Sequence, residues 1–329
     1  MEKDFITYNQ QMRLLRNQKK ISCSGTEDKI LLCRNGYFNL INGYKMPFTT
    51  GKDVTGNYIY LRGTTIRNFS DLKYFDDELR LLLLKYITKA EEEIRAFVAY
   101  KFDEINNNGS TQWYQVEAYN SSIDVKRVIA LISKAYSELS KSDLDYVKFY
   151  MDNHKVIPTW ILTKIVYFAT FIDFLNFSKD AVKSSICELY TIKDSRGYPD
   201  YKLLIASLHW MRKIRNACAH NERIYCLDGV TKNGVNKRVA DSYFSLLPHS
   251  YLRGDTRIRL VDLFVYLKYY LDTKDFNSMI RQVSALLIDL RAQLSAPAFD
   301  RVRAAMGVKD ISHLNILMTS AKIIEYNKF

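Results

Sequence analysis

The chain has 329 residues, 47% hydrophobic and 26% charged, with only 12 Gly and 5 Pro. That length buries a real core, as one large domain or two modest ones, and the balance excludes a disordered chain. A net charge of +12 with 24 Tyr and 17 Phe among the basic residues suits RNA, whose phosphates pair with Lys and Arg and whose unstacked bases lie on rings; the same aromatics equally serve to fill a core.

Scarce helix breakers and long amphipathic runs predict an all-α fold, a bundle of long helices with an irregular aromatic-rich insertion near the N-terminus. Thr7 caps a first helix reaching about residue 20, and a shorter one covers 26–35. Residues 36–68 carry most turn signals, with an extended run at Tyr58-Ile59-Tyr60-Leu61, so they read as a connection with room for a small hairpin. Leu72, Phe75, Leu79, Leu82, Tyr86, Ala90, Ile94 and Phe97 then recur at three- and four-residue steps. They predict one helix over 70–102, roughly 50 Å long.

Further helices are predicted over 124–140, 142–154, 159–177 and 180–190. Asp200 then sits at the start of another, where the helix dipole favours a carboxylate. Residues 229–254 form a polar loop with Lys232, Lys237 and Arg238 at its tip, too long for a simple bundle connection. Helix returns over 257–295 and 298–306. The chain thus divides into N-terminal helices and connection (1–69), helical core (70–228), basic loop (229–256) and C-terminal helices packing on the core (257–329), compatible with one continuous domain.

The stretch HWMRKIRNACAHNERIY, residues 209–225, carries the chemistry. On a helix of about 100° per residue, Arg212, Asn216, His220 and Arg223 fall within an arc of roughly 80°, with Leu203, Met211, Ile214 and Cys218 opposite. Imidazole moves protons near neutral pH and guanidinium forks match phosphate oxygens, a combination suited to a phosphodiester. Arg215 lies about 140° round the helix from His220, so one straight helix does not bring them together. Either the length of the arginine side chain bridges the gap, or two copies of the motif meet at a two-fold interface. Taken alone, an arginine and a histidine five apart arise by chance in many chains of this length.

The remaining residues offer less. Glu91-Glu92-Glu93 point in different directions around a helix, so a salt bridge from Glu91, to Arg95 or a partner helix, outweighs a metal site. His154, His209, His249 and His313 have no partner pattern and read as structural or surface residues. No Gly-rich phosphate loop, G-x-S-x-G or H-E-x-x-H occurs, and no cofactor or metal is expected. Five cysteines without a C-x-x-C pair argue against a disulfide framework and a zinc site. Residues 1–18 lack the apolar run of a signal peptide. The most apolar stretch, 161–175, contains Lys164 and Asp173 and is too short to span a bilayer. A cytoplasmic protein without membrane contact is expected.

Arg215-Asn216-Ala217-Cys218-Ala219-His220 resembles the R-x(4–6)-H signature of HEPN domains, helical bundles often acting as metal-independent ribonucleases. More of the chain resembles a narrower family, the Abi-like abortive-infection proteins of the AbiD/AbiF type. FITYNQQMRLL, RNGYFNLINGYKMPF, GTTIRNFSDLKYFDDELRLLLLKYITKAEEEIRAF, IPTWILTKIVYFATF and RNACAHNERIY follow in that family's order across residues 5–226, with Ala169 where a glycine is expected. The resemblance implies a HEPN-like bundle, a bacterial phage-defence or toxin role, and RNA cleavage leaving a 2′,3′-cyclic phosphate and a 5′-hydroxyl. It also implies a homodimer with a composite site, restraint by a small noncoding RNA, and a fixed role for Glu91 and Arg95.

In that reading His220 is the general acid/base, and Arg215 binds the scissile phosphate and stabilises its developing charge. Asn216 orients the histidine or the ribose 2′-hydroxyl, while Arg212, Arg223, Lys232, Lys237 and Arg238 hold flanking phosphates. Some HEPN proteins bind RNA without cutting it, which leaves a non-cleaving RNA-binding module as the alternative. A purely structural helical dimer with a solvated polar stripe is the third reading.

Overall fold

The computed structural model describes residues 5–106, 108–154, 156–194, 196–230 and 257–320. Thr7 and Gln10 form a reciprocal capping box that starts α1 (Tyr8–Asn17), and α2 (Gly25–Asn35) follows. The predicted irregular connection is a π-helical turn (Phe38–Asn42), a 3-10 turn (Met46–Phe48) and a hairpin of β1 (Thr49–Lys52) with β2 (Tyr58–Tyr60). The two strands are antiparallel, with a register irregularity between Thr49 and Gly51. Phe48 and Tyr60 lay their rings on Phe69, at centroid distances of 4.6 and 6.3 Å, which pins the connection to the next helix.

That helix, α3 (Ile66–Ile105), has 40 residues, about 60 Å of length. It begins earlier than the pattern from Ser70 predicted because Thr65 and Asn68 make a second capping box. The predicted apolar stripe is buried along it from Leu72 to Ile94, Phe97 is only partly buried, and the buried face continues through Val98 and Phe102. Packed on this spine are α2, α6 (Thr159–Ile165), α8 (Asp180–Leu189), α9 (Tyr201–Ala219), α10 (Leu260–Tyr270) and α11 (Thr273–Gln293). One connected set of buried apolar side chains runs from Met12 to Leu317. Every residue of α10 is buried, as expected of a helix that is apolar on nearly every side, and the burial includes the charged Asp262 and Lys268.

Asp124 caps α4 (Val125–Leu139), and α5 (Asp145–His154) follows. The single helix predicted over 159–177 is two, α6 and α7 (Phe168–Phe177), with Val166 and Tyr167 in extended backbone between them. Neither glycine nor proline causes the break. Arg95 of α3 donates to the carbonyls of Thr163 and Val166 at the end of α6. Glu138 of α4 accepts from Tyr167 N–H at 2.7 Å and from Thr170 Oγ1 at 2.6 Å at the start of α7. Charged side chains from two other helices thus supply the hydrogen bonds that a helix end otherwise lacks.

Asp200 accepts the Leu203 N–H at 2.9 Å and starts α9. Leu203, Met211, Ile214 and Cys218 are buried on one face, as the wheel predicted. The helix stops sooner than expected: His220 is its C-cap, and Asn221 turns the chain through a left-handed φ of 56°. Arg223 is therefore not on the helix, which corrects the four-residue arc.

The stretch predicted as one helix over 257–295 is also divided. β4 (Arg257–Ile258) pairs antiparallel with β3 (Gly229–Val230), and α10 ends at extended Leu271 before Asp272 caps α11. After α12 (Ala296–Met306) come a 3-10 turn (Ile311–His313) and α13 (Leu314–Thr319). Among the described residues, no helix is long and apolar enough to cross a membrane.

Candidate functional site

The loop leaving α9 folds back onto α3 and is held by one carboxylate. Asp76, fully buried, accepts the N–H groups of Tyr225 at 2.9 Å and Ile224 at 3.2 Å. It also accepts Tyr44 Oη–H at 3.0 Å and Arg80 Nη1 at 2.9 Å. Arg80 further pairs with Asp77 and donates to the Glu222 carbonyl at 3.2 Å. Burial pushes the Asp76 carboxyl up to about 6, against the opposing pull of the Tyr225 N–H, Arg80 and Tyr44. The N-terminal connection, the spine and the motif loop therefore meet at a single buried charge. Sequence reading missed it, although a signal existed: Asp76 follows Leu72 by four and precedes Leu79 by three, inside the apolar register. Glu91 occupies the same kind of position between Ile87 and Ile94.

His220 is exposed, and its backbone N–H closes α9 on the Asn216 carbonyl at 3.0 Å. Its side chain stands at the rim of two cavities. The larger, about 1160 Å³, lies between the end of α2, the π-helical turn, the first half of α3 and the loop after α9. Arg34, Lys45, Lys73, Arg80 and Arg223 face Asp77, Glu222 and Asp228 there. Asp77 is already neutralised by Lys73, at 2.6 Å, and by Arg80, so the wall is positive in balance. The smaller cavity, about 440 Å³, runs along α9 between His209, Arg212, Lys213, Asn216 and His220, with Glu222 as its one lining carboxylate among the described residues.

The predicted residues are therefore separated. Arg212, Asn216 and His220 line one hollow, while Arg223 turns into the other cavity and donates to the Gly43 carbonyl. Arg215 lines neither cavity. Its Nε lies 3.6 Å from Glu91 Oε2, an ion contact rather than a hydrogen bond, and its Nη1 reaches Asn216 Oδ1 at 3.3 Å. Glu91 in turn binds Arg95 at 2.7 Å, so Arg215 joins α9 to the pair that holds the α6–α7 break. Lys232, Lys237 and Arg238 lie outside the described residues.

His209, read from sequence as an isolated residue, shares the smaller hollow with His220. Its distance of eleven positions hid the relation, which needs three turns of helix. Burial lowers the His209 imidazole below its ordinary value, and Arg212 adds to the effect while Asp173 opposes it. The unfolded chain then binds this proton more tightly than the fold does. The contribution of His209 to stability is thus present above pH of about 6.5 and lost as the pH falls below it. Between pH 7.5 and 5.5 (conditions bracketing roughly that value), the thermal midpoint should drop further for the wild type than for His209→Gln. Equal drops would mean that the imidazole is not desolvated.

Other chemistries find less support. Cys218 and Cys226 border the larger cavity, but burial raises both thiols, Cys218 to about 12, so neither is a ready nucleophile. Glu92 is exposed and Glu93 accepts from Tyr190 Oη–H at 3.1 Å, so the acidic run diverges. Among the described residues, no group of three or more His, Cys, Asp or Glu side chains is arranged to hold a metal ion.

The sequence profile of the Abi-like protein family matches residues 30–226. That span contains the π-helical turn, all of α3 and the whole motif of α9. No curated protein and no solved structure matches the chain.

Proposed function

The chain belongs to the Abi-like protein family, and from that premise we propose that it is an endoribonuclease of bacterial abortive-infection defence, working in the cytoplasm through a HEPN-type motif of the AbiD/AbiF kind. The observation that carries this reading is an exposed imidazole, His220, standing between two cavities lined with cations. His220 takes the proton of a ribose 2′-hydroxyl, whose oxygen attacks the adjacent phosphorus. The bond to the 5′-oxygen breaks, the His220 imidazolium returns its proton to that leaving oxygen, and the products are a 2′,3′-cyclic phosphate and a 5′-hydroxyl. Asn216 orients the imidazole or the 2′-hydroxyl, while Arg212 and Arg223 hold flanking phosphates. Because Arg215 lines neither cavity of its own chain, a second copy in a homodimer brings its Arg215 to the scissile phosphate.

A small noncoding RNA that restrains the toxin would occupy the same positive surface, with Lys232, Lys237 and Arg238 contributing. Binding should weaken steeply as salt rises, since each phosphate contact releases counterions. Proton transfer by imidazole and charge stabilisation by guanidinium need no divalent ion. Purified protein should therefore cut total RNA in the presence of EDTA and lose that activity in His220→Ala. Strict dependence on magnesium or manganese would overturn the metal-free scheme.

One observation favours a second reading, a non-cleaving module that holds a regulatory RNA: Arg215 is engaged by Glu91 within its own chain. Salt-sensitive RNA binding without any cleavage product would decide for that reading.

A further inference from the structure

The larger cavity has a second wall that the motif does not explain. Asn35, Asn39 and Asn42, spaced by four and three, come to it from the end of α2 and the π-helical turn, and Phe38 stands beside them 74% exposed. The side chains of Asn39 and Asn42 make no hydrogen bond with another described residue, and Asn35 uses only its Nδ2, on the Leu31 carbonyl at 3.0 Å. Each free amide offers a donor and an acceptor side by side, the pattern that matches a base edge. An exposed ring offers a stacking face to an unpaired base. Arg34 is exposed at one end of this wall, and Arg223 crosses to the Gly43 carbonyl at the other. The volume, about 1160 Å³, exceeds that of an ordinary small-ligand pocket, and its rim is His220.

We propose that this cleft is a base-reading subsite for an unpaired segment of RNA. Phe38 stacks on a base, Asn39 and Asn42 hydrogen-bond its edge, and Arg34 and Arg223 hold the phosphates on either side. The proposal rests on the RNA reading above and adds which strand form is selected, and by which residues. A paired strand is excluded because a base already stacked and paired presents neither a free face nor its full edge to the wall. The sequence that follows the cleft past His220 enters the smaller hollow beside Arg212, so the base in the cleft sets where the strand is cut.

The test uses the full chain carrying His220→Ala, so that bound RNA survives, and fluorescently labelled single strands of each base beside a duplex of equal length. The single strands should bind more tightly than the duplex. Phe38→Ala should weaken single-strand binding roughly tenfold or more, the usual effect of losing one stacking ring, while Phe38→Trp should retain it. Asn39→Ala combined with Asn42→Ala should level the differences among the four homopolymers. Duplex binding should be unmoved by any of these changes, and unchanged thermal midpoints would confirm that the exposed substitutions leave the fold intact. RNA binding that ignores both Phe38 and the two asparagines overturns the subsite and leaves the RNA reading standing. Absence of RNA binding by every form overturns both.

Discussion

Asp76→Ala should cost about 3–5 kcal/mol of folding free energy, the range for removing one partner of a buried ion pair. Three donors lose their acceptor at once, the backbone N–H groups of Ile224 and Tyr225 and the Tyr44 hydroxyl, and the Arg80 guanidinium is left with Asp77 and the Glu222 carbonyl. Each is buried or part-buried, so water does not freely replace the carboxylate. The loss should also be local in a readable way. The amides of Ile224 and Tyr225 should exchange with solvent far sooner than those of α10, because they are tied to this side chain. Asp76→Asn keeps the shape and one acceptor oxygen but leaves Arg80 with a weaker partner, and should fall between. Denaturant titration of the three proteins measures the effect. A loss below about 1 kcal/mol, the worth of an exposed pair, would mean that the loop is held by something else.

His220→Ala should lower RNA cleavage by about 10²- to 10⁴-fold, the usual contribution of a general acid or base, at nearly unchanged stability because the side chain is exposed. Arg215→Ala should also abolish cleavage, for a different reason. Glu91 keeps Arg95 as its partner, so the fold survives while the phosphate loses its guanidinium. If the site is shared between two chains, mixing these inactive variants should restore part of the activity, since a mixed dimer pairs an intact His220 with an intact Arg215. Full activity in both single variants would end the ribonuclease reading. Mixing without any gain, beside two inactive parents, would instead end the two-chain site.

What the sequence by itself determined is the set of features encoded within a turn or two of helix. Capping by Thr7 and Asp200, the stripe of α3 and the apolar face of α9 all depend on neighbours three or four residues apart. Those distances are visible in one dimension, and the helical architecture follows from them.

Only the tertiary structure decided where helices stop and which polar residues meet. The apolar run over 159–177 reads as one helix, and it is broken by Arg95 and Glu138 arriving from α3 and α4. Arg223 shares the helical period of His220, yet the left-handed turn at Asn221 sends it across the larger cavity to Gly43. His209 joins His220 because α9 runs unbroken for three turns between them, while Arg215, closer in sequence but on another face, lies against Glu91. The decisive contact joins Asp76 to Tyr225, residues 149 positions apart. Local propensity carries no information at that distance. A buried charge needs its partners wherever the chain supplies them, and the site takes its shape from meeting that need.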